Sequence, residues 1–290
     1  MTKGFLLLLG SSLAFTLSTV FGKIVVTISD VPAVEITFFR FIAGFAFMAL
    51  YIPLTGRTFR ANNMRYITSR GIFNSGAVIL FFLALEYTTV TKTNLLNMTY
   101  PVFVFAIAGM INREKIRPVY YLYLILTVAG LMLVMAPDMK ELRDGTVNAG
   151  DVIALASAVF AAFAITTLRQ ATKYDATHTI LFYMLGIGTI INLPFAIPGF
   201  RVPHGAALMH TVLATVSSLA GQVFITIGFR DVEAAAGSLV QASRIIFSIL
   251  LGVWIFNDPV TWKIITGAAI ILVSLAGVGG IFTKQTGRDQ

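Results

Sequence analysis

Long apolar runs separated by short polar breaks fill this chain from one end to the other. Ten of them approach the ~20 residues a helix needs to cross a hydrocarbon core of roughly 30 Å. They cover residues 4–22, 32–52, 71–88, 93–112, 118–136, 150–168, 178–199, 208–228, 234–256 and 262–283. The runs are continuous, without the short alternation of barrel strands, and backbone groups in lipid must be satisfied within the segment, so each run predicts a membrane helix. The first continues to about Phe21 with no small-residue cleavage site, which reads as a membrane helix and not as a signal peptide.

The polar breaks predict orientation. With the N-terminus inside, the inner segments hold thirteen Lys and Arg residues and the outer segments six. Four of the thirteen, Arg57, Arg60, Arg65 and Arg70, fall between the second and third runs. This bias predicts a multi-pass protein of the bacterial inner membrane with both termini cytoplasmic.

Shifting the chain by 144 residues lays Ala84–Val134 over Gly228–Val278 without a gap. Leu95 then meets Leu239, Asn97 meets Gln241, Asn94 meets Ser238, Tyr100 meets Arg244 and Glu114 meets Asp258. The predicted fold is an all-α polytopic membrane protein of ten transmembrane helices in two five-helix repeats, at 1–136 and 150–290, joined by a connection at 137–149. An odd number of spans per repeat places the second upside down relative to the first. Inverted repeats put a shared site near the midplane, where opposing arms can rock.

Composition narrows the function classes. The chain is 57% hydrophobic and 12% charged, with a mean hydropathy of +0.85, whereas a soluble domain carries about 25% charged residues. Its net charge of +8 lies in short loops and is topological, so no nucleic-acid partner is expected. With no cysteine, thiol catalysis and disulfides are excluded. His178, His204 and His210 show no ligand spacing, and no metal or cofactor is expected. A membrane enzyme would need a paired carboxylate, a Ser/His arrangement or a metal cluster at depth, and the sequence presents none.

Ionisable groups inside a span cost about 2.5–3.5 kcal/mol on insertion scales and so need a reason. Arg244 lies about ten residues, or roughly 15 Å, into the ninth run. A planar guanidinium there suits a carboxylate or phosphate; an internal ion pair or a contact with broken helix backbone is the alternative. Gln241 shares its face and Ser238 is more loosely aligned. Asn94, Asn97 and Tyr100 form a polar stripe at intervals of three, which predicts a face turned to the bundle interior, lining a cavity or bonding neighbouring helices. Pro101 follows and should break the helix. Arg40, about 12 Å into the second run, reads first as a structural tie and second as a cavity residue. Asn74 with Ser75, and Gln222, are candidates for the inner vestibule. Glu114 and Asp258 each precede the last helix of a half and should favour its N-terminus. Small residues in the tenth run (Gly267, Ala268, Ala269, Gly277, Gly279, Gly280) predict close helix packing, with a second protomer as one candidate partner.

Several of these features resemble the drug/metabolite transporter superfamily, specifically its ten-helix EamA-type members. The residues that carry the likeness are Ala84–Thr88 with Pro101, the Asn112-Arg113-Glu114-Lys115 corner, Asp258-Pro259-Val260-Thr261, the Gly267–Gly277 helix, and Arg40 in Val34–Phe41. Two departures are Asp258, where Glu is commoner, and Arg244, where many relatives are apolar. The resemblance implies a central cavity lined by the third, fourth, eighth and ninth spans, with the first and sixth as moving walls. It also implies transport of a small-molecule substrate by proton exchange, substrate exchange or a simple gradient, without ATP. The absence of an obvious mid-span relay, Glu35 being the nearest carboxylate, leans towards exchange or facilitated transport. The leading expectation is a secondary carrier, in contact with membrane lipids, for an organic metabolite bearing a negative group, such as an amino acid or nucleotide-like anion. A lipid or lipid-carrier flippase of the same fold is the alternative.

Overall fold

The computed structural model describes residues 2–88, 90–135, 148–198 and 200–280. The expected connection at 137–149 lies outside these except for its last two residues, and so do Lys140, Arg143, Lys284, Arg288 and the end of the tenth run. The described chain is all-helical: α1 Lys3–Ile28, α2 Ala33–Leu54, α3 Met64–Leu85, α4 Val90–Asn97, α5 Tyr100–Asn112, α6 Pro118–Met135, α7 Ala149–Tyr174, α8 Thr177–Ala196, α9 Gly205–Asp231, α10 Ala234–Gln241, α11 Ser243–Phe256 and α12 Trp262–Val278. The pair α4/α5 makes one span and α10/α11 another, giving ten among the described residues. Nine are long and apolar enough to cross a membrane, and α12 is a shorter apolar helix.

Helix boundaries follow the repeat. Val90 and Ala234 open α4 and α10, Asn97 and Gln241 close them, and Pro118 and Trp262 open α6 and α12, each pair 144 residues apart. The two non-glycine residues with positive φ among the described residues obey the same offset: Arg113 at 54° and Asn257 at 53°. Left-handed backbone disfavours a side chain, so its recurrence at matching corners marks a sharp exit that both repeats need. Pro101 sits in the first turn of α5, as the sequence predicts for a break. The ninth span breaks at the same register with no proline.

The two repeats interlock. α1 packs along α9, α3 along α7, α2 along α8 and α6 along α12, every pair joining the halves. Small residues allow the last crossing: a Cβ on Gly267 would lie 2.6 Å from the Gly130 carbonyl oxygen, and one on Gly130 2.8 Å from that of Gly267. Thr127 and Ser274 hydrogen-bond across the same crossing at 2.8 Å. Gly267 and Gly277 therefore meet α6 of their own chain and Gly279 meets Phe5 of α1, and nothing supports the second protomer, one candidate partner of this helix.

Hydropathy misplaces the helix ends where charges intrude. Lys23, Arg70 and Lys92, expected in loops, lie within α1, α3 and α4. Lys92 is buried and pairs with Asp151 of α7 at 3.8 Å. Basic loops gather at one end of the bundle, where Asp175 accepts from the Asn62 and Asn63 amides at 2.6 and 3.1 Å, and Arg230 donates to the Asp175 carbonyl at 3.1 Å. We call this the basic end.

Candidate functional site

The breaks in the fourth and ninth spans bring polar side chains to the middle of the bundle, and the repeat organises their partners. Asn97, closing α4, donates to Ser157 of α7 at 2.6 Å, and Ser157 donates to the Ala77 carbonyl of α3 at 3.0 Å. Gln241, closing α10, donates to the Leu8 carbonyl of α1 at 3.1 Å and accepts from Ser12 at 3.3 Å. α1 and α7 align end to end at an offset of 146 (Lys3–Ile28 on Ala149–Tyr174). Ser11, which donates to the Gly221 carbonyl of α9 at 2.9 Å, therefore makes the counterpart of the Ser157 bond. In this conformation Asn97 and Gln241 thus anchor each broken helix to the first helix of the other repeat. Tyr100 donates to the Ser238 carbonyl at 3.4 Å, joining the two breaks, while the Ser238 hydroxyl is turned back on Ala235 at 2.7 Å. Asn94 is half-buried on α4.

Three arginines occupy this region. Arg244 sits at the start of α11, half-buried, with its guanidinium 5.0 Å from the Phe15 ring centroid. Its carbonyl accepts from Thr16 at 3.4 Å. Arg40 donates to Ser218 of α9 at 2.8 Å, one turn from Gly221, against which Phe15, the ring beside Arg244, is packed. Arg70 donates to Gln222 at 3.3 Å. Ser218 and Gln222 are one turn apart on α9, so Arg40 and Arg70 are held at successive levels of one helix face. The Nε atoms of Arg40 and Arg70 are buried without a hydrogen-bond partner. Among the described residues no carboxylate pairs with any of the three; the ion pairs found are Lys92–Asp151, Arg169–Glu114 and Arg201–Asp30. Glu35, the deepest carboxylate expected, accepts from the Arg201 amide at 2.9 Å near the other end of α2. Asn74 is half-buried on α3, one turn beyond Arg70.

The two ends of the bundle differ. At the basic end α5 packs against α10 through Phe105, Ala235 and Leu239, whereas among the described residues no comparable packing joins α4 to α11 at the opposite end. Glu114 accepts from the Ala234 amide with both oxygens at 3.0 Å and pairs with Arg169 at 3.5 Å. Arg169 donates to the Phe229 and Arg230 carbonyls at 2.7 and 2.6 Å. Four spans are thereby tied by one carboxylate and one guanidinium. Glu114 does cap a helix, but α10 of the other repeat and not α6 as expected. Glu233 makes no side-chain cap for α10, leaving its amide open, while α6 begins with Pro118, which has no amide to offer. Asp258, the counterpart of Glu114, is exposed and has no side-chain hydrogen bond or ion pair among the described residues.

Sequence reasoning missed Arg70, Ser218 and the Glu114–Arg169 latch. Arg70 reads as a loop anchor because the apolar run begins after it. Its register with Asn74, four residues on, is the signal that would have placed it in a helix. The latch has no local signature, since its members come from distant segments.

Comparison with known proteins follows the same two-part plan. The profile of the EamA-like transporter family matches residues 2–136 and again residues 148–280. The pseudopaline exporter CntI of Pseudomonas aeruginosa is 28% identical over 264 residues, covering 90% of this chain and 91% of that protein. Solute carrier family 35 member G1 of Mus musculus is 26% identical over 283 residues, covering 92% and 75%. A riboflavin transporter of Vibrio cholerae is 23% identical over 196 residues, covering 67% and 64%. A solved crystal structure superposes with a TM-score of 0.76 at 19% identity, covering 96% of each chain.

Proposed function

The chain belongs to the EamA-like transporter family, and on that footing we propose that it carries a small organic anion with more than one negative charge, such as a dicarboxylate or a phosphorylated metabolite. It is a multi-pass membrane transporter with a small-molecule substrate and not an enzyme. The observation that supports the anion is that Arg40 and Arg244 approach neighbouring turns of α9, the first through Ser218 and the second over Phe15, with no carboxylate paired to either among the described residues. Two guanidinium groups in a partly dehydrated interior repel each other, and a bound carboxylate or phosphate relieves that repulsion while accepting bidentate hydrogen bonds. Arg70, Asn74, Gln222 and Tyr100 then offer donors for the remainder of the solute.

Alternating access follows from the repeat. Here the basic end, taken as cytoplasmic, is shut by Glu114 across the start of α10. Exchange of the two repeats' conformations gives the other state: Asp258 closes on the start of α4, with Lys23, the counterpart of Arg169 on α1, in support. Lys23 now rests 3.9 Å from the centroid of the Phe256 ring, beside the corner that carries Asp258. Each transition would release one carboxylate as it engages the other, and the anion would pass between them.

Counterflow into proteoliposomes with a panel of neutral, monoanionic and multiply charged solutes tests this reading. Saturable exchange of at least one dicarboxylate or phosphorylated solute, in preference to its neutral analogue, is expected. Exchange confined to neutral or cationic solutes by folded protein would overturn it.

A further inference from the structure

A cavity of about 720 Å³ opens at the basic end between α3 and α5, with α7 as its floor, and none of Arg40, Arg70 and Arg244 lines it. Arg65 and Tyr66 of α3, Asn112 and Arg113 at the end of α5, and Lys173 and Tyr174 of α7 line its polar part. The lining includes three cations and no carboxylate. There the Tyr66 and Tyr174 rings stack at 5.9 Å; about two to three helical turns further along α3 and α7 the lining turns apolar, and the Phe73 and Phe163 rings stack at 4.9 Å.

The cleft faces lipid. Phe163 continues a stripe on α7 that runs through Val159 and Leu155 to Val152, the last two 40% and 60% exposed. Met110, at the cleft edge, is 83% exposed. This apolar stripe covers about half the length of α7, continues into the cleft at Phe163, and has hydrocarbon as its natural neighbour. The basic cluster is also not a requirement of the repeat: the counterparts of Arg65, Arg113 and Lys173 in the other half are Met209, Asn257 and Thr27. A third feature points to a ligand. The Asn112 side chain is 5% exposed; its amide nitrogen donates to Glu114 at 3.4 Å, but its Oδ1 is buried without a donor.

We propose that this cleft binds the headgroup of an anionic phospholipid from the adjoining leaflet, one whose phosphate meets Arg65, Arg113 and Lys173 and whose glycerol hydroxyl donates to Asn112 Oδ1. An acyl chain lies along Phe73, Phe163 and Met110. Basic pockets between helices on the cytoplasmic side are suited to such headgroups. The cleft borders the latch directly, since Gln170 in its wall donates to the Ile111 carbonyl at 2.8 Å, so the bound lipid braces α5 on α7 while the basic end is shut.

Native mass spectrometry of the purified chain in equal mixtures of phosphatidylglycerol and phosphatidylcholine tests the site independently of any transported solute. Wild type is expected to retain phosphatidylglycerol selectively. Each of Arg65→Gln, Arg113→Gln and Lys173→Gln should lower that retention about fivefold, leave phosphatidylcholine retention unchanged, and keep the thermal unfolding seen in phosphatidylcholine. These three side chains are exposed, so the single variants decide the matter should the triple variant fail to fold. Equal retention of the two lipids by wild type, or undiminished selectivity in the single variants, would refute the proposal. Displacement of the lipid by an equal concentration of free glycerol phosphate would also refute it, since the acyl chain would then contribute nothing.

Discussion

Glu114 and Asp258 stand at the same position in two copies of one helical plan, each just past a left-handed corner residue, yet their surroundings have little in common. Glu114 is almost wholly buried, holds the first amide of α10 and pairs with Arg169. Asp258 is exposed, and among the described residues no packing like that of α5 on α10 joins α11 to α4, the helix it would hold. On the proposed exchange the repeat supplies two ends able to close, and this conformation closes only the basic one. The asymmetry lies in which contacts are made and not in which residues are present, as expected of a carrier that exchanges its halves' conformations.

Breaking the engaged latch should have the largest effect. Removing one partner of a buried ion pair costs about 3–5 kcal/mol, and Glu114→Gln also weakens the cap on α10. The chain has no cysteine, so a single cysteine replacing Ala235, now buried against α5, reports cleanly on the basic end. Its labelling rate is expected to rise at least about tenfold in the Glu114→Gln background, since 1.4 kcal/mol already shifts a two-state population that far. An unchanged rate would mean that the carboxylate does not hold the end shut.

Arg244→Ala separates site from gate. A charge-assisted hydrogen bond is worth about 1.5–3 kcal/mol, so counterflow of the preferred anion should fall roughly 10- to 100-fold, while the Ala235 position stays as protected as in wild type. Retained transport would remove Arg244 from the binding site. A smaller effect is expected for Asp258→Asn, whose side chain is idle in this conformation: resting accessibility is unchanged, and exchange slows because the alternative state loses its latch. Faster labelling of the basic end in that variant would contradict the division of labour.

The smallest effect concerns Glu233, beside the latch. Burial, and next the Glu114 carboxylate, raise its carboxyl above the ordinary carboxylate range. A carboxyl whose affinity for protons is raised on folding favours the folded state at low pH, and that contribution is lost as pH rises through the carboxylate range. Glu233→Gln should therefore raise the unfolding temperature slightly at about pH 7 and leave it unchanged near about pH 3, below the usual carboxylate pKa. A difference that grows towards acid pH would reverse the sign of this account.

Much of the architecture is legible in the sequence because bilayer thickness fixes the length of an apolar run. Val90, Asn97, Pro118 and their partners 144 residues on set the helix boundaries that the offset anticipates. Tyr100 meets the Ser238 carbonyl, Gln241 and Arg244 both meet α1, and Arg40 meets α9. What sequence hides is direction and partner. Gln241 and Asn97 read as polar groups facing inward, but whether they face a cavity or a helix depends on α1 and α7, which are distant in the chain. Arg70 is concealed because a charge one turn inside a helix ends a hydropathy run as surely as a loop does. Glu114 shows the same limit: its chemistry as a helix cap is readable, and the identity of the helix is not.

The most direct test of alternating closure uses spin-label distances at matched positions, Lys115 with Asp231 at the basic end and Tyr87 with Pro259 at the other, all exposed and related by the repeat. In the wild-type background the basic-end pair should be the closer of the two, and introducing Glu114→Gln should lengthen it while shortening the opposite pair. Movement of both pairs in the same sense, or a change at one end with none at the other, would contradict a single rocking exchange between the two repeats.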